Sequence, residues 1–271
     1  MLFNRFHANY FAVRSMAGFF MEPEFQAQLR EFARKEEIRK IFDKVFDERT
    51  IQAVHHLATA GHIDALEFLI STGKEAHVFR AVDESGNFRA VKIYKIEATD
   101  FRNMKPYLEG DKRFKEIGHG KRDLIYAWTR KEFRNLEKFN EAGVKVPLPY
   151  AFKENVLVME FIGKKGEAAK TLKNNPVKDF KKLYEEICLE MARMIEKSQL
   201  VHADLSEYNI LNRNEEPVII DCGQAVLTSH PKAKEFFERD VKNMAAFFSK
   251  KGLKKSFKEM YLDIKEKKGS V

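Results

Sequence analysis

The sequence is poor in the residues that mark several large functional classes. Only two cysteines, Cys188 and Cys222, occur among 271 residues, with no C-x-x-C. No disulfide framework or cysteine-based zinc site follows from them, and a reducing cytoplasm is the expected compartment. The eight histidines include no H-E-x-x-H. His55 and His56 are adjacent on a helix pattern, point to different faces, and are not read as a metal pair. Long apolar runs are missing too. The start, MLFNRFHANYFAVRSMAGFFM, is broken by Arg5, His7, Asn9 and Arg14, so it is read as a packing or partly disordered arm, not as a signal or anchor. Neither G-x-x-x-x-G-K-[ST] nor G-x-G-x-x-G occurs, and no internal repeat is visible.

What remains is a chain with a core and a basic surface. Hydrophobic residues make up 44%, enough for a buried interior, and charged residues reach 33%, against about 25% in ordinary domains. The formal net charge is +8, which suits a polyanionic partner such as RNA and equally suits simple solubility. Residues 249–271 hold eight lysines against three acids. That tail reads as a solvated end or a nucleic-acid arm.

Patterning divides the chain. Residues 24–46 have helical spacing in Phe25, Leu29, Phe32, Ile38, Phe42 and Val45. Asp47 is placed to cap a second helix that ends at Gly61. From residue 68 the period becomes that of strands, with DESGN as a hairpin turn. Residues 97–122 are polar and interrupted by Pro106, Gly110, Gly118 and Gly120, and are expected to be a long flexible loop. A helix follows from Asp123 to about 141, with Ile125, Trp128, Leu136 and Phe139 as its apolar stripe. VKVPLPYAF and VLVMEFIG read as strands, 178–197 as a long helix, and 208–213 and 217–221 as short strands. Pro231, with Ser229 as cap, is expected to open the final helix.

Four features carry chemistry. Glu132 sits inside the apolar stripe of its helix, so it either reaches water at an edge or needs a cation. Lys92, in the strand RAVKIYK, is either an edge lysine or that cation, placed to hold phosphates. STGKEAHVF joins two strands. Gly73 allows close backbone approach, and Ser71, Thr72 and the loop N–H groups fit a polyphosphate, although such a turn alone is usually a plain hairpin. In VHADLSEYNI, Asp204 and Asn209 stand five apart between apolar flanks: a carboxylate to orient a hydroxyl or water, and an amide oxygen for a metal. In VIIDCGQ, Asp221 ends a buried strand two residues before Gly223, a position typical of a Mg²⁺ carboxylate. In chain order these are a glycine loop, a strand lysine, a helix glutamate, D-x-x-x-x-N and D-x-G, the parts list of protein-kinase-like phosphoryl transfer.

On STGKEA, WTRKEFRNL, HADLSEYN, IIDCGQAV and HPKAKEFFERDVKN the chain resembles the RIO family of atypical serine protein kinases, over roughly residues 45–252. The resemblance implies an α+β, bilobal protein-kinase-like fold, with a small antiparallel-sheet N-lobe and a reduced, mainly helical C-lobe, preceded by N-terminal helices. The expected segments are 1–66 (helical), 67–162 (N-lobe with loop 97–122) and 163–271 (reduced C-lobe with basic tail). By resemblance ATP is bound by Ser71, Thr72, Gly73, Lys74 and Lys92, with Glu132 orienting Lys92, and the adenine is read by the carbonyl of Glu160 and the amide of Ile162. Asp204 is the catalytic aspartate, and Asn209 and Asp221 hold Mg²⁺ or Mn²⁺. The resemblance also implies work on the small ribosomal subunit, its protein and its RNA, and an ATPase cycle with an aspartyl-phosphate at Asp221. His202 is expected to brace the catalytic loop and Asp240 to anchor it.

The chain departs from ordinary protein kinases in three places. His202-Ala203-Asp204 lacks the usual Arg, Cys222 replaces the Phe of D-F-G, and no A-P-E segment follows. Loop 97–122 contains no serine, so the autophosphorylation expected of relatives is not carried to it. Two further readings stand beside the kinase: a small-molecule phosphotransferase of the aminoglycoside type, and a nucleotide-gated scaffold binding RNA or protein.

Overall fold

In the computed structural model, residues 11–12, 46–96, 101–114, 118, 120–269 and 271 are described. The expected helix over 24–46 and most of the expected N-terminal arm lie outside them. The chain forms two compact units. The first holds residues up to 100 together with 118–130 and 149–161, and the second holds 101–117, 131–148 and 162–271. These units follow packing and are not contiguous in the chain.

The first unit is a six-stranded antiparallel sheet with a helix on it. Its elements are β1 (Phe11–Ala12), α1 (Glu48–Thr59), β2 (Ala65–Thr72), β3 (Ala76–Val82), β4 (Phe88–Tyr94), β5 (Pro149–Lys153) and β6 (Val156–Glu160). The strand order is β1-β2-β3-β4-β6-β5. Asp47 caps α1 as expected, accepting from Thr50 N at 2.9 Å. Val54, Leu57 and Ala58 of α1 pack with Phe79, Ala81, Val91, Ile93, Val156 and Val158 of the sheet. A buried amide fixes the helix there: Asn155 Nδ2 donates to Thr50 Oγ1 and to the carbonyl of Tyr94, both at 2.9 Å. The β3–β4 turn forms because Asp83 Oδ1 accepts from Ser85 N and Asn87 N at 3.0 and 2.8 Å, while Gly86 takes a φ of +78° that disfavours a side chain. Strand β4 lies between β3 and β6, so residues 90–94 are buried on both faces.

The second unit is mainly helical. It contains α2 (Phe101–Leu108), the second part of α3 (Lys121–Glu141), α4 (Phe180–Glu196), α5 (Ala233–Lys250) and α6 (Phe257–Lys268). Three two-stranded ribbons complete it: β7 (Gly163–Lys164) with β8 (Glu167–Ala168), β9 (Leu200–Val201) with β12 (Val226–Leu227), and β10 (Ile210–Arg213) with β11 (Glu216–Ile219). Tyr184 of α4 meets Phe248 of α5 edge to face, centroids 5.2 Å apart, and Met260 and Ile264 of α6 are fully buried. The expected α+β architecture is therefore what the chain adopts.

Three local expectations are corrected. The segment 97–122 is not a structureless loop: helix α2 occupies 101–108 and a 3₁₀ turn 112–114. Met104, Leu108 and Phe114 anchor it, each at most 5% exposed, and Pro106 is carried inside α2, two residues before its end. Ser229 does not cap α5, which starts at Ala233 after Lys232 with no side-chain cap. Nor is α5 the last helix. Ser256 and Glu259 form a full capping box that starts α6, and S-x-x-E is legible in the sequence as such a signal.

Candidate active site

The candidate residues fall into two sets, one in each unit. In the first unit, the loop Ser71–Ala76 joins β2 to β3. It is closed by Gly73 N donating to the carbonyl of Ala76 at 2.9 Å. A Cβ on Gly73 would stand 3.4 Å from that same oxygen, in contact with it. Ser71, Thr72, Gly73 and Lys74 are exposed, as N–H and O–H donors for a phosphate must be.

Two residues that the sequence reading did not assign hold this loop. Lys95, just past β4, donates from Nζ to the Gly73 carbonyl at 2.6 Å and from its backbone N to the Glu75 carbonyl at 2.9 Å. His77 opposes Thr72 across the ladder, its Nδ1 3.2 Å from the Thr72 hydroxyl. Burial, aided by the Lys95 charge, pushes His77 down to about 4, so the ring is neutral at physiological pH. The only sequence signal was a polar residue in the middle of a strand flanked by apolar ones.

Lys92 is buried in β4, opposite Val78 and Leu157, with its Nζ 5.0 Å from the Tyr94 ring centroid. It shares Tyr94's face of the strand, away from Val91 and Ile93 in the core, as the alternation required. Glu160 closes β6. Glu132 and Ile162 belong to the second unit. Glu132 is buried at 1% exposure, so the edge reading of it fails. Ile162 is buried, and its carbonyl accepts from Ala169 N at 2.9 Å.

The second unit assembles the carboxylates. Asp204 sits between β9 and β10 and is half-buried. Its side chain accepts from Asn209 Nδ2 at 3.2 Å and from Gln224 Nε2 at 3.3 Å, and Asn209 Nδ2 also donates to the Asp204 carbonyl at 2.8 Å. Burial and the nearby Asp221 carboxylate push Asp204 up, while the Arg239 guanidinium and the Asn209 amide pull it down. Asp221 is exposed and stands in the left-handed region, φ 63° and ψ 54°. For a residue with a side chain that conformation is held by its surroundings.

Those surroundings are specific. The imidazole of His202 donates from Nε2 to the Ile220 carbonyl at 3.1 Å and accepts at Nδ1 from Asp204 N at 3.3 Å. Ile220 N donates to the Asn209 carbonyl at 2.9 Å. The loop that carries Asp204 and Asn209 is thus tied directly to the residue before Asp221, and His202 braces it as expected. Asp240, on α5, accepts from Ala203 N at 2.8 Å and Leu205 N at 2.9 Å. Arg239 donates to the Ala203 carbonyl. Ala203 is also left-handed, with φ 69°. Burial pushes Asp240 up to about 7, opposed by those two N–H donors and by Arg239.

A metal fits this donor set only if it is hard and partly hydrated. Among the described residues no group of three or more His, Cys, Asp or Glu is placed to hold an ion. Asn209 turns its Nδ2 to Asp204, which directs the amide oxygen elsewhere as an acceptor, and Asp221 adds one carboxylate. Two oxygen donors, completed by waters and phosphate oxygens, match Mg²⁺ or Mn²⁺ and not zinc or a calcium cage.

Comparison with known proteins covers this arrangement. The RIO domain model matches residues 77–261, which includes Lys92, Glu132, Asp204, Asn209 and Asp221 but starts after the Ser71–Ala76 loop. The RIO-type serine/threonine-protein kinase Rio1 of Haloferax volcanii is 48% identical over 213 residues, 79% of this chain and 73% of that one. The Methanocaldococcus jannaschii Rio1 is 39% identical over 245 residues, 90% of this chain and 83% of that one. Among solved structures, the Rio2 kinase-ADP/Mg²⁺-phosphoaspartate complex from Chaetomium thermophilum superposes with a TM-score of 0.61 at 23% identity, over 82% of this chain and 66% of that chain. A second Rio2 structure from that organism gives 0.55 at 25%, over 73% and 61%.

Proposed function

This chain belongs to the RIO family, and from that premise we propose that it is an ATP-dependent serine/threonine protein kinase that also hydrolyses ATP. The observation that carries the reading is the Asp204–Asn209 pair, tied through His202 and Ile220 to Asp221. Two carboxylates and an amide oxygen are held on two short, braced segments, which is what phosphoryl transfer needs from a protein that mainly positions and neutralises charge.

The roles follow from the side chains. Asp204 orients the attacking hydroxyl and takes its proton; that hydroxyl's oxygen forms the new P–O bond as the bond to ADP breaks. Burial and Asp221 raise Asp204, which makes it a better proton acceptor. Asn209 and Asp221 hold Mg²⁺ or Mn²⁺, which neutralises phosphate charge when bound. Lys92 contacts the α- and β-phosphates and is oriented by Glu132. Ser71, Thr72, Gly73 and Lys74 offer donors to the phosphates, held by Lys95 and His77. The carbonyl of Glu160 and the amide of Ile162 read the adenine. With water in place of the hydroxyl, the same groups hydrolyse ATP. The exposed Asp221 carboxylate is accessible as a nucleophile for an aspartyl-phosphate. Action on the small ribosomal subunit in the cytoplasm completes the proposal, supported by the family and by the +8 net charge.

The test follows radiolabelled ATP with Mg²⁺ in wild type and Asp204→Asn, scoring free phosphate, transfer to a generic protein acceptor, and hydroxylamine-labile self-label. Loss of turnover in the variant, by about 10²-fold or more, is expected, and the product pattern divides kinase from ATPase. Equal turnover by the two proteins would overturn the assignment of Asp204.

A further inference from the structure

The carboxylate of Asp221 is exposed, yet the turn that follows it is gripped from beneath. Residues Cys222–Gln224 form a 3₁₀ turn, and three carbonyls of this stretch face α3. Asn135 Nδ2 donates to the Cys222 carbonyl at 2.8 Å and to the Ala225 carbonyl at 3.0 Å. Lys131 Nζ donates to the Gly223 carbonyl at 2.8 Å and also to that of Ala225. Lys131 and Asn135 are four residues apart on α3, so they share one face of it. Both are fully buried.

A second layer holds the amide. Arg113 Nη1 donates to Asn135 Oδ1 at 2.9 Å, which fixes which end of the amide faces the turn. Arg113 is in turn clasped by Asp111, from Nε at 2.9 Å and Nη2 at 2.7 Å. Asp111 is itself buried, at 2% exposure. The run from Asp111 through Arg113 and Asn135 reaches two carbonyls within four residues of Asp221, those of Cys222 and Ala225.

Burying a lysine head group is costly unless its donors are used. A methionine would fill similar space without that cost, so packing alone does not account for Lys131. What its amino head group adds is direction: it donates to two specific carbonyls on the α3 side, and Asn135 holds a third. With those oxygens fixed, the peptide planes after Asp221 are fixed. The left-handed conformation at Asp221 is thereby held from its C-terminal side, as the Ile220 bonds hold it from the other.

We propose that Lys131 and Asn135, with Arg113 behind them, are positioning residues that set the aim of the Asp221 carboxylate and so the affinity of the divalent metal, without touching nucleotide or metal. This rests on the reading of Asp221 as a metal carboxylate. The network has the logic of outer-shell partners, whose loss costs about 10–100-fold in metal affinity.

The test uses the full chain and two binding measurements: ADP affinity by calorimetry with and without Mn²⁺, and Mn²⁺ affinity by electron paramagnetic resonance at saturating ADP. The variants are Lys131→Met, Arg113→Gln and, as control, Asp221→Asn. Arg113→Gln alters only the second layer, so it carries the test should Lys131→Met fail to fold. Metal-free ADP affinity is expected to stay within about twofold of wild type, while Mn²⁺ affinity drops by about 10-fold or more. A purely structural role would change melting temperature and leave the ratio of ADP affinities with and without Mn²⁺ unchanged. Asp221→Asn that weakens Mn²⁺, alongside a folded network variant that does not, overturns the proposal. Asp221→Asn with unchanged Mn²⁺ affinity overturns the metal reading on which it stands.

Discussion

At the scale of single residues, the loop carrying Asp204 owes its shape to groups that do no chemistry. Asp240 supplies both acceptors for Ala203 N and Leu205 N. An amide offers only one oxygen, so Asp240→Asn must leave one buried N–H without its partner. A loss of about 1–3 kcal/mol in unfolding free energy is expected from chemical denaturation, with ATP turnover reduced further than stability alone explains. A stable Asp240→Ala protein with full turnover would refute the anchoring role. His77 gives a pH signature. It has an ordinary value of 6.5 and is pushed down to about 4 in the fold, first by burial and then by Lys95. Between those values the unfolded chain takes up a proton that the folded chain refuses. Its contribution is complete above about 6.5 and is lost as the pH falls toward 4. Melting curves from pH 7.5 to 4 are expected to decline less steeply for His77→Gln; an unchanged slope would remove His77 from that role. Residues of this kind were only partly legible. Asp204, Asn209 and Asp221 announce themselves because their spacing falls within short loops between apolar strands. Lys131 and Asn135 read as ordinary helix residues, since the three carbonyls that bury them lie about ninety positions away in the chain.

At the scale of elements, the strands and long helices were readable because their burial is periodic. The corrections came where tertiary contact overrides local pattern. Segment 101–114 looks polar, yet Met104 and Leu108 sit one helical turn apart and are both buried, which orders α2 in spite of Pro106. Tyr107 stacks on Phe236 with centroids 5.1 Å apart, and the His230 ring bonds the Glu109 carbonyl at 2.7 Å. Partners so far along the chain leave no local trace. Helix α6 is the opposite case. Its capping box was written in the sequence but hidden under a reading of the tail as a charge run. Ser256 accepts from Glu259 N at 3.2 Å while Glu259 accepts from Ser256 N at 2.8 Å. Ser256→Ala is therefore expected to cost about 1 kcal/mol in a denaturant titration. A variant as stable as wild type would mean that α6 is held by its packing and ion pairs without help from the cap.

At the scale of the whole molecule, the excess of positive charge has to be placed before it can be used. The lysine-rich end is not a free arm. Lys267 pairs with Glu185 at 2.6 Å, Lys268 with Glu196, and Lys255 with Asp263 at 2.7 Å. These bonds tie α6 to α4 and within the C-terminal region, so part of the local positive charge is already answered by acids. If the chain binds RNA as proposed, the affinity must be electrostatic and must draw on lysines and arginines other than Lys255, Lys267 and Lys268. Displaced counterions then set the salt dependence: engaging even two phosphates of a single strand weakens binding about sevenfold for a fourfold rise in salt. Titrating a fluorescent single-stranded RNA at 50 and 200 mM salt reads this directly. Wild type and Asp204→Ala are expected to fall together, because a carboxylate takes no part in phosphate neutralisation. Lys267→Ala with Lys268→Ala is expected to lower the melting temperature while keeping most of the RNA affinity. Loss of RNA binding in that double variant at unchanged stability would return the tail to the role of a nucleic-acid arm. An affinity independent of salt would separate the net charge from any nucleic-acid function.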